Sequence, residues 1–392
     1  MHRLQLRVGV GRRRVTSSCC AALPRRLPLR GSCNCLRCRQ NTAGLISVQE
    51  TVPFSIPALR VGAVALPNAV ILAPMAGITD APVRRMAVRY GAGLVISEMV
   101  ASEALLEGHP EMTLRAQGEG VPFHAVQIAG NDPRLMGEAA RMAEAAGAGL
   151  IDINMGCPAK RVTTGAAGAA LLRDLPLAWA IFEAVRAAVS VPVTVKTRLG
   201  WDESQPTAVA LARMAQESGL AMVTVHGRTR CHFYTGRADW PSIRTVKAAV
   251  AIPVVANGDV VAAADGAAIL AASGADGVMI GRGAQGRPWF PGRVAQALAG
   301  QCGAEDPPLD EQRDVLLELY DGWLSLYGTA LGVRQARKHV GWALDAAAGG
   351  EGEAHGAFVA RWRKRLLVLD DPGGVRAGIC AAYDELMWRA AA

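Results

Sequence analysis

The stretch "VTVKTRLGWDESQPTAVALARMAQESGLAMVTVHGR" (residues 193–228) contains the unit that decides the fold. Its first six residues form a short, mostly apolar run, and a polar turn follows them. The amphipathic segment "AVALARMAQESG" (208–219) comes next, and a second apolar run, "MVTVHGR" (222–228), closes the stretch. Near-continuous apolar runs of this length are typical of parallel strands that are buried on both faces. The stretch therefore predicts a strand–helix–strand unit.

This unit repeats along most of the chain. The apolar runs are "AVILAPM" (69–75), "GLVISEM" (93–99), "HAVQIAG" (124–130), "LIDINMG" (150–156), "VTVKTR" (193–198), "MVTVHGR" (222–228), "PVVANGD" (253–259) and "GVMIGRG" (277–283). Eight alternations of strand and helix over roughly 230 residues predict an α/β fold, a (β/α)8 TIM barrel spanning 58–303. The main alternative is a doubly wound open sheet, which usually has fewer strands and a Gly-rich turn after the first one.

The pattern changes after residue 304. Pro307, Pro308 and the stretch "AAAGGEGEAHG" (346–356) separate amphipathic segments that have no apolar strand between them. Those segments are "DPPLDEQRDVLLELYDGWLSLYG", "VRQARKHVGWALDAAAG", "HGAFVARWRKRLLVLDD" and "VRAGICAAYDELMWRAAA". Their helical periodicity predicts a small C-terminal all-helical domain over 304–392.

The positive charge of the chain is concentrated near its N-terminus. The net charge is +8, but residues 1–49 contain ten Arg and no Lys, Asp or Glu. The remaining 32 basic and 34 acidic residues give the body a net charge of −2, which argues against a generally basic, nucleic-acid-binding body. An Arg-rich segment without acids is compatible with an organelle transit peptide. We favour a disordered extension or an upstream reading frame translated from a wrong start.

Cysteine usage bears on compartment and metal binding. The trio Cys33, Cys35 and Cys38 lies in the N-terminal segment and has no matching Cys or His cluster, so it is weak support for a metal site. The four cysteines of the body are far apart and form no CxxC motif, which fits a reducing compartment. No apolar run reaches the length of a membrane span. We expect a cytoplasmic monomer without a metal or a membrane partner.

Polar residues stand at the ends of the predicted strands. In such barrels the C-terminal ends of the strands carry the chemistry. The polar residues there are Glu98, Gln127, "NMGCP" (154–158), Lys196 with Arg198, His226 with Arg228, "NGD" (257–259) and "GRG" (281–283). Each of them alone has an ordinary structural explanation, such as a packed histidine or a turn-forming asparagine. Together they fall on one face, and we interpret that face as a candidate active site.

The last two strand ends indicate the kind of ligand. Barrels commonly bind phosphate in the loops after strands seven and eight, with loop N–H groups and a helix N-terminus. We therefore predict a phosphate near Gly258, Gly281 and Arg282. Gln127, Lys196 and His226 are then placed to line a flat heterocycle across the barrel mouth. The spacing does not by itself identify this heterocycle as a flavin.

A set of long motifs resembles one family. They are "LAPMAGITDAPVRR", "NMGCPAKRV", "AGAALLRD", "VPVTVKTRLGW", "VTVHGRTR", "IPVVANGDV" and "DGVMIGRGAQGRPW". In order and spacing they resemble the tRNA-dihydrouridine synthases, most closely the bacterial DusB type. The resemblance covers about residues 58 to 345, and it extends more loosely into the tail through "RQARKHVGW".

The resemblance implies an FMN-dependent barrel that reduces a uridine of the tRNA D-loop and uses NADPH to reduce the flavin. Position by position, it assigns FMN binding to Pro74, Met75, Ala76, Gln127, Lys196, His226, Asn257, Gly258, Asp259, Gly281 and Arg282. Cys157 matches the catalytic cysteine of the family. The segment "RVTTGAAG" (161–168) departs from relatives, which often have an Asn- or Lys-containing loop there.

The chemistry explains a thiol at this strand end. Reduction of the C5–C6 bond of uracil needs a hydride at C6 and a proton at C5. A thiol has an ordinary pKa of about 8.5 and is mostly protonated at neutral pH, so it can donate that proton. Gly156 and Pro158 shape the turn so that the sulfur of Cys157 points into the barrel mouth. The alternative, a small Cys that packs as a hydrophobe, is weaker because the turn faces the site.

Two basic helix faces suggest how RNA is bound. The spacing i, i+3, i+4 groups two trios, which are Arg334, Arg337 and Lys338, and Arg361, Lys364 and Arg365. We predict that they bind tRNA phosphates. The alternative RNA site is the barrel rim around Arg228, Arg230 and Arg237.

Two other functions remain open at this point. A flavin barrel of the dihydroorotate dehydrogenase kind shares fold, FMN and dihydropyrimidine chemistry, but it has no need of a helical domain with basic faces. The second is an RNA-binding or regulatory protein built on a barrel that has lost its catalytic activity. Such a protein has no need of an intact set of polar residues at the strand ends.

Overall fold

The computed structural model describes residues 58–349 and 352–391. The extension predicted over 1–49, with its Cys33, Cys35 and Cys38, lies outside the described residues. In the described part, no helix is long and apolar enough to span a bilayer.

The strands are short and almost all buried. They are β1 Arg60–Val61, β2 Val64–Ala65, β3 Val70–Leu72, β4 Leu94–Val95, β5 Val100–Ala101, β6 Ala125–Ala129, β7 Leu150–Met155, β8 Val193–Arg198, β9 Met222–His226, β10 Val254–Asn257 and β11 Gly277–Ile280. Every residue of β3, β4, β6, β7, β9, β10 and β11 is buried, as expected for strands covered on both faces.

The helices follow the strands in alternation and then form a C-terminal group. They are α1 Ala81–Arg89, α2 Ser102–Leu106, α3 Pro110–Ala116, α4 Pro133–Ala145, α5 Lys160–Thr163, α6 Leu175–Ala188, α7 Ala208–Glu217, α8 Trp240–Lys247, α9 Asp265–Ser273, α10 Phe290–Leu298, α11 Leu309–Tyr327, α12 Thr329–Ala348, α13 Glu353–Leu366 and α14 Pro372–Ala391. Two 3-10 helices, Gly168–Arg173 and Arg282–Ala284, lie in loops at the barrel mouth.

The parallel strands close into a barrel. They are hydrogen-bonded in the order β4-β3-β11-β10-β9-β8-β7-β6-β5. Ile96, between β4 and β5, makes a parallel bridge to Ala125 in β6, and this bridge joins the two sides of the sheet. β4, Ile96 and β5 are thus pieces of one strand, the second of eight. The predicted (β/α)8 barrel is confirmed.

The second strand is interrupted where the sequence predicts one continuous run, 93–99. The hydroxyl of Ser97 donates to the carbonyl of Glu98 and accepts from the backbone N–H of Gln127 in β6. The carboxylate of Glu98 accepts from the backbone N–H of Gly77. Side-chain groups therefore replace ladder hydrogen bonds at this strand end, and the regular strand stops there.

Four barrel helices begin in the same way. An Asp side chain caps each N-terminus by accepting from the backbone N–H three residues later, and a Pro follows within the first two helical positions. The caps are Asp80, Asp132, Asp174 and Asp239. This pairing satisfies one of the free N–H groups of the helix, and Pro fits where no intrahelical donor is needed.

The barrel interior is plugged from one end. Ile71, Leu150, Met222 and other strand residues form a buried cluster with residues from the β1–β2 hairpin, namely Leu59, Val61 and Leu66. The sequence carries no signal for this hairpin because each of its strands has only two residues. Its apolar side chains close the interior of the barrel.

The C-terminal helices pack against the first barrel helix. In α11, Glu318 accepts two hydrogen bonds of 2.8 Å from Arg89 at the end of α1. The hydroxyl of Tyr327 donates to the cap Asp80 at 3.1 Å. The all-helical nature of this region is confirmed. A boundary at 304 between a catalytic barrel and a tRNA-binding domain stays a prediction.

Candidate active site

A cavity of about 770 Å³ opens at the C-terminal ends of the strands. This volume is within the range of small-molecule and cofactor sites. The predicted residues that line it are Pro74, Met75, Ala76, Gln127, Cys157, Lys196, His226, Asn257, Gly258, Asp259, Gly281 and Arg282. The structure thus brings every predicted cofactor residue and the predicted catalytic cysteine to one cavity.

Lys196 is the one residue of β8 that is not fully buried, and it faces this cavity. Its Nζ donates to Oδ1 of Asn257 at 3.0 Å, and Nδ2 of Asn257 donates to the Met279 carbonyl at 2.8 Å. Burial, and then the positive charge of Arg198, lower the pKa of Lys196 to about 8. A protonated lysine has three N–H donors, so two remain for a ligand.

His226 is a neutral imidazole. Burial, followed by the positive charges of Lys196, Arg198 and other cations, lowers its pKa well below the ordinary value. Nη1 of Arg228 lies 3.3 Å from Nε2 of His226. A guanidinium can only donate, so Nε2 is the acceptor and Nδ1 carries the proton. His226 therefore lines the cavity as a neutral side chain that can form hydrogen bonds.

The turn that carries Cys157 is held from both sides. Oδ1 of Asn154 accepts the backbone N–H groups of Cys157 at 3.0 Å and of Gly156 at 3.2 Å. Nε of Arg198 donates to the carbonyl of Gly156 at 2.7 Å. Cys157 is a free thiol of intermediate exposure. These bonds fix the backbone, so the thiol stands at the cavity wall with its sulfur unconstrained by a disulfide.

Arg198 joins the Cys157 turn to the loop between β9 and α8, a role that the sequence did not reveal. Besides Gly156, it donates from Nη1 to the carbonyls of Thr229 and Phe233, each at 2.9 Å. Burial lowers its pKa to about 10, so the guanidinium is charged at neutral pH. The sequence placed Arg198 at a strand end, but a pattern cannot show which carbonyls a buried arginine reaches.

Asp259 lines the cavity, and its carboxylate is already hydrogen-bonded to other groups of the protein. Nη1 and Nη2 of Arg228 donate to its two oxygens at 2.9 and 2.7 Å, and the Ala238 N–H donates at 2.7 Å. Burial opposes ionisation, but these bonds hold the pKa of Asp259 below its usual value. Arg228 also donates to the carbonyls of Thr235 and Gly236. Its donors are thus used within the protein.

In the Asn257–Asp259 turn the Gly258 carbonyl accepts from Trp240 Nε1, but the Gly258 N–H has no acceptor among the described residues. Gly258 has φ +130, and a Cβ there would lie 2.6 Å from Cβ of Ala238. A Cβ on Gly281 would meet nothing closer than 3.8 Å. Arg282, half exposed, has a single long ion-pair contact, to Asp259 at 3.5 Å. The N–H groups of Gly258 and Gly281, which have no acceptor in the described part of the chain, suit a phosphate together with the guanidinium of Arg282.

Tyr234 is a cavity residue that the sequence analysis missed. The residue is 51% exposed, and the guanidinium carbons of Arg198 and Arg282 lie 5.5 and 4.7 Å from its ring centroid. A tyrosine in a loop has no periodic signal, so nothing in the sequence distinguished it. The ring offers the cavity a flat, partly open aromatic face.

The two predicted basic trios do not form two free faces. Nη2 of Arg337 donates to Asp370 at 2.7 Å, and Arg361 is paired with Glu385. Lys338 is half-buried, donates to Gln335, and lies beside Gly77 of the barrel mouth. Arg334, Lys364 and Arg365 are exposed and have no ion pair among the described residues.

The described residues contain no group of three or more His, Cys, Asp or Glu side chains placed to hold a metal ion.

Comparison with known proteins identifies the family. The family model described as "Dihydrouridine synthase (Dus)" matches residues 71–357. A "Probable tRNA-dihydrouridine synthase" of Rhodobacter capsulatus is 49% identical over 319 residues, which cover 81% of this chain and 95% of the relative. A "tRNA-dihydrouridine synthase B" of Pseudomonas putida is 44% identical over 329 residues, covering 84% and 95%. The chain belongs to the dihydrouridine synthase family and is an oxidoreductase.

Proposed function

We propose that this protein is a tRNA-dihydrouridine synthase that reduces the C5–C6 double bond of a D-loop uridine, with FMN as cofactor and NADPH as reductant. The observation that carries the proposal is one cavity that combines the Cys157 thiol, the Lys196 ammonium and an open glycine turn beside Arg282. The names of the relatives support tRNA as the substrate. We further propose that the protein acts as a cytoplasmic monomer.

The cavity residues divide into two groups for FMN. Pro74, Met75 and Ala76 form the wall against the ring system, and Gln127, Lys196 and His226 supply its polar contacts. The ribityl phosphate end is assigned to Asn257, Gly258, Asp259, Gly281 and Arg282. Because the Asp259 carboxylate is bound by Arg228, we assign its contribution to the backbone.

Cys157 supplies the proton in this proposal. Reduced FMN, when bound, supplies a hydride to C6 of the uracil ring. The thiol of Cys157 donates its proton to C5, and the resulting thiolate regains a proton from solvent. Arg198 and Asn154 hold the turn so that the thiol approaches from a fixed direction. Water alone would lack this positioning, which is a large part of general acid catalysis.

The tRNA must present its uridine outside the base stack, since the cavity lies at the end of a barrel. We propose that phosphates bind the helical region through Arg334, Lys364 and Arg365, whose charges are free of acidic partners in the described chain. Arg337, Lys338 and Arg361, which were predicted to join them, are held by contacts within the protein. On the barrel rim, Arg230 and Arg237 remain candidates, whereas the donors of Arg228 are used internally.

Reversing the charge of Arg334, Lys364 and Arg365 together is expected to raise the KM for tRNA and leave NADPH oxidation intact. Each lost phosphate contact should lower the slope of log affinity against log salt by about 0.7 to 0.9. The matched control replaces Arg337 and Arg361 by Gln, which should change the salt slope little because both are already paired. Unchanged affinity and slope in the reversed variant would move the RNA site to the barrel rim.

The affinity of the protein for FMN is expected to fall as pH rises through about 8. The pKa of Lys196 is lowered to about 8, so its ammonium is lost above that pH, and an anionic ligand then loses its partner. The measurement is the dissociation constant of FMN for the apoprotein from about pH 7 to about pH 9.5. In Lys196→Met the break near 8 should disappear. A break of the same size in that variant would assign it to another group.

Analysis of tRNA from a strain lacking this protein tests the function itself. Dihydrouridine should disappear from at least one D-loop position and return when the gene is restored. A dihydroorotate dehydrogenase type of enzyme would leave tRNA dihydrouridine unchanged. The purified protein should also be yellow and release FMN on denaturation. A colourless protein with full dihydrouridine in the deletion strain would overturn the proposal.

A further inference from the structure

A chain of hydrogen bonds runs from the barrel core to the Cys157 turn. Thr194 Oγ1 donates to Asp152 Oδ1 at 2.6 Å, and Gln127 Nε2 donates to Asp152 Oδ2 at 2.7 Å. Asn154 Nδ2 donates to Gln127 Oε1 at 2.8 Å. We call this the amide relay, formed by Thr194, Asp152, Gln127, Asn154 and the N–H groups of Gly156 and Cys157.

We propose that Asp152 is a positioning residue that sets the direction of the amide relay and thereby orients Gln127 and Asn154 for ligand binding. Asp152 does not line the cavity; it is hydrogen-bonded to the cavity wall through Gln127, and its negative charge also opposes the lowering of the pKa of Lys196. The proposal rests on the proposed function only in taking a flavin as the ligand of the cavity.

The two ends of the relay leave a single arrangement. At the mouth, two backbone N–H groups point at Asn154, so its oxygen must face them and its nitrogen must face Gln127. Gln127 must then turn its oxygen to Asn154 and its nitrogen toward the core. That nitrogen needs an acceptor, and a carboxylate offers acceptors only. Asp152 is therefore the residue that completes the relay without a conflict.

Burial makes the direction costly to reverse. Asp152 and Thr194 are 0% exposed, and Gln127 is 1% exposed, so water cannot replace a missing partner. If Gln127 flipped, its oxygen would face the carboxylate of Asp152. The flip would pass to Asn154 and set its NH2 group against the N–H of Cys157. The relay is thus an all-or-none arrangement of buried groups.

The relay decides what the cavity offers a ligand. Gln127 and Asn154 both line it, and each amide nitrogen carries two N–H groups, of which the relay uses one. The second N–H of each remains. The direction set by Asp152 therefore gives this wall two amide donors, which match acceptor oxygens or ring nitrogens of a flavin or a uracil. The reversed direction would exchange the positions of these donors and of the amide oxygens along the wall.

Two conservative variants separate this role from simple packing. Asp152→Asn keeps an acceptor oxygen toward Gln127, and its new NH2 can donate to the Thr194 hydroxyl. Thr194→Val removes that hydroxyl but leaves the carboxylate of Asp152 as the acceptor. In the double variant the new NH2 group at position 152 has no acceptor at position 194, so one donor is orphaned or the relay reverses. The relay therefore predicts a synergistic loss in the double variant.

The experiment measures the dissociation constant of FMN for the apoprotein of all four forms. Each single variant should bind within about threefold of the unaltered protein, and the double variant should bind at least about tenfold more weakly than the product of the single effects. Single effects that simply multiply would overturn the proposal. The proposal would also be overturned if Asp152→Asn alone bound FMN as weakly as the double variant does. The loss of the negative charge would then account for the whole effect.

The unfolding midpoint of the apoprotein is the second readout and needs no flavin. The relay predicts that Thr194→Val lowers the midpoint more than Asp152→Asn does, because Thr194→Val leaves Oδ1 of Asp152 buried without a donor, whereas Asp152→Asn can still bond both Gln127 and the Thr194 hydroxyl. A larger decrease in Asp152→Asn than in Thr194→Val would contradict it. If the unaltered protein does not bind FMN, the proposed function fails, and the midpoints still decide whether the relay has the direction described.

Discussion

Replacing Cys157 by Ala is expected to lower the turnover of tRNA by about 10² to 10⁴ while FMN still binds. The loss follows because the thiol is the proposed proton donor to C5. The binding is retained because the turn is held through backbone groups, namely the N–H of residue 157 and the carbonyl of Gly156, which Ala does not remove. The measurement is single-turnover reduction of tRNA by the pre-reduced enzyme.

The matched control for this variant is Cys302→Ala, which removes an exposed free thiol that does not line the cavity. It should turn over tRNA at the unaltered rate. Cys157→Ser should resemble Cys157→Ala, since a hydroxyl is a much weaker acid than a thiol. Full activity in Cys157→Ala would remove Cys157 from the mechanism.

Replacing Lys196 by Met is expected to lower the rate of flavin reduction by NADPH by about 10² to 10³ and to weaken FMN binding. The ammonium faces the cavity with two free donors, and its charge favours negative charge that develops on a bound ligand. Met keeps the length of the side chain but leaves Oδ1 of Asn257 without its donor. The measurement is anaerobic NADPH oxidation at saturating FMN, with the dissociation constant of FMN beside it.

Lys247→Met is the control for the loss of a lysine charge. Lys247 lies in α8, outside the cavity, and pairs with Asp276 at 2.7 Å. This variant should reduce its flavin normally. If Lys196→Met reduced its flavin as fast as Lys247→Met does, the electrostatic role of Lys196 would be excluded.

The barrel was predictable because its strands obey a simple rule. A parallel strand that is covered on both faces is mostly apolar, so residues 150–155 and 222–226 can be recognised without their neighbours even though each contains two polar residues. The β1–β2 hairpin follows no such rule, since two-residue strands have no measurable pattern. The break at Ser97 depends on a hydroxyl that bonds β6, and this contact is distant in sequence.

The site was predictable in its residue types but not in its connections. Strand ends converge in a barrel, so polar residues there had to meet, and Lys196 and Asn257 do so across 61 positions of sequence. Helix spacing also placed Arg337 and Arg361 among the predicted RNA-binding cations. Each of them is paired with an acid from outside its own helix, Arg337 with Asp370 and Arg361 with Glu385. Spacing describes one helix at a time, so it cannot reveal a partner that another segment supplies.

The most direct test of the proposed function is the conversion of unmodified tRNA by the purified protein with FMN and NADPH. We expect a D-loop fragment heavier by two hydrogens in mass spectrometry, with NADPH consumed in equal amount to the dihydrouridine formed. Cys157→Ala should retain reduction of the flavin and yield almost no heavier fragment. An unaltered tRNA mass, with the flavin bound and fully reduced in the unaltered protein, would contradict the account.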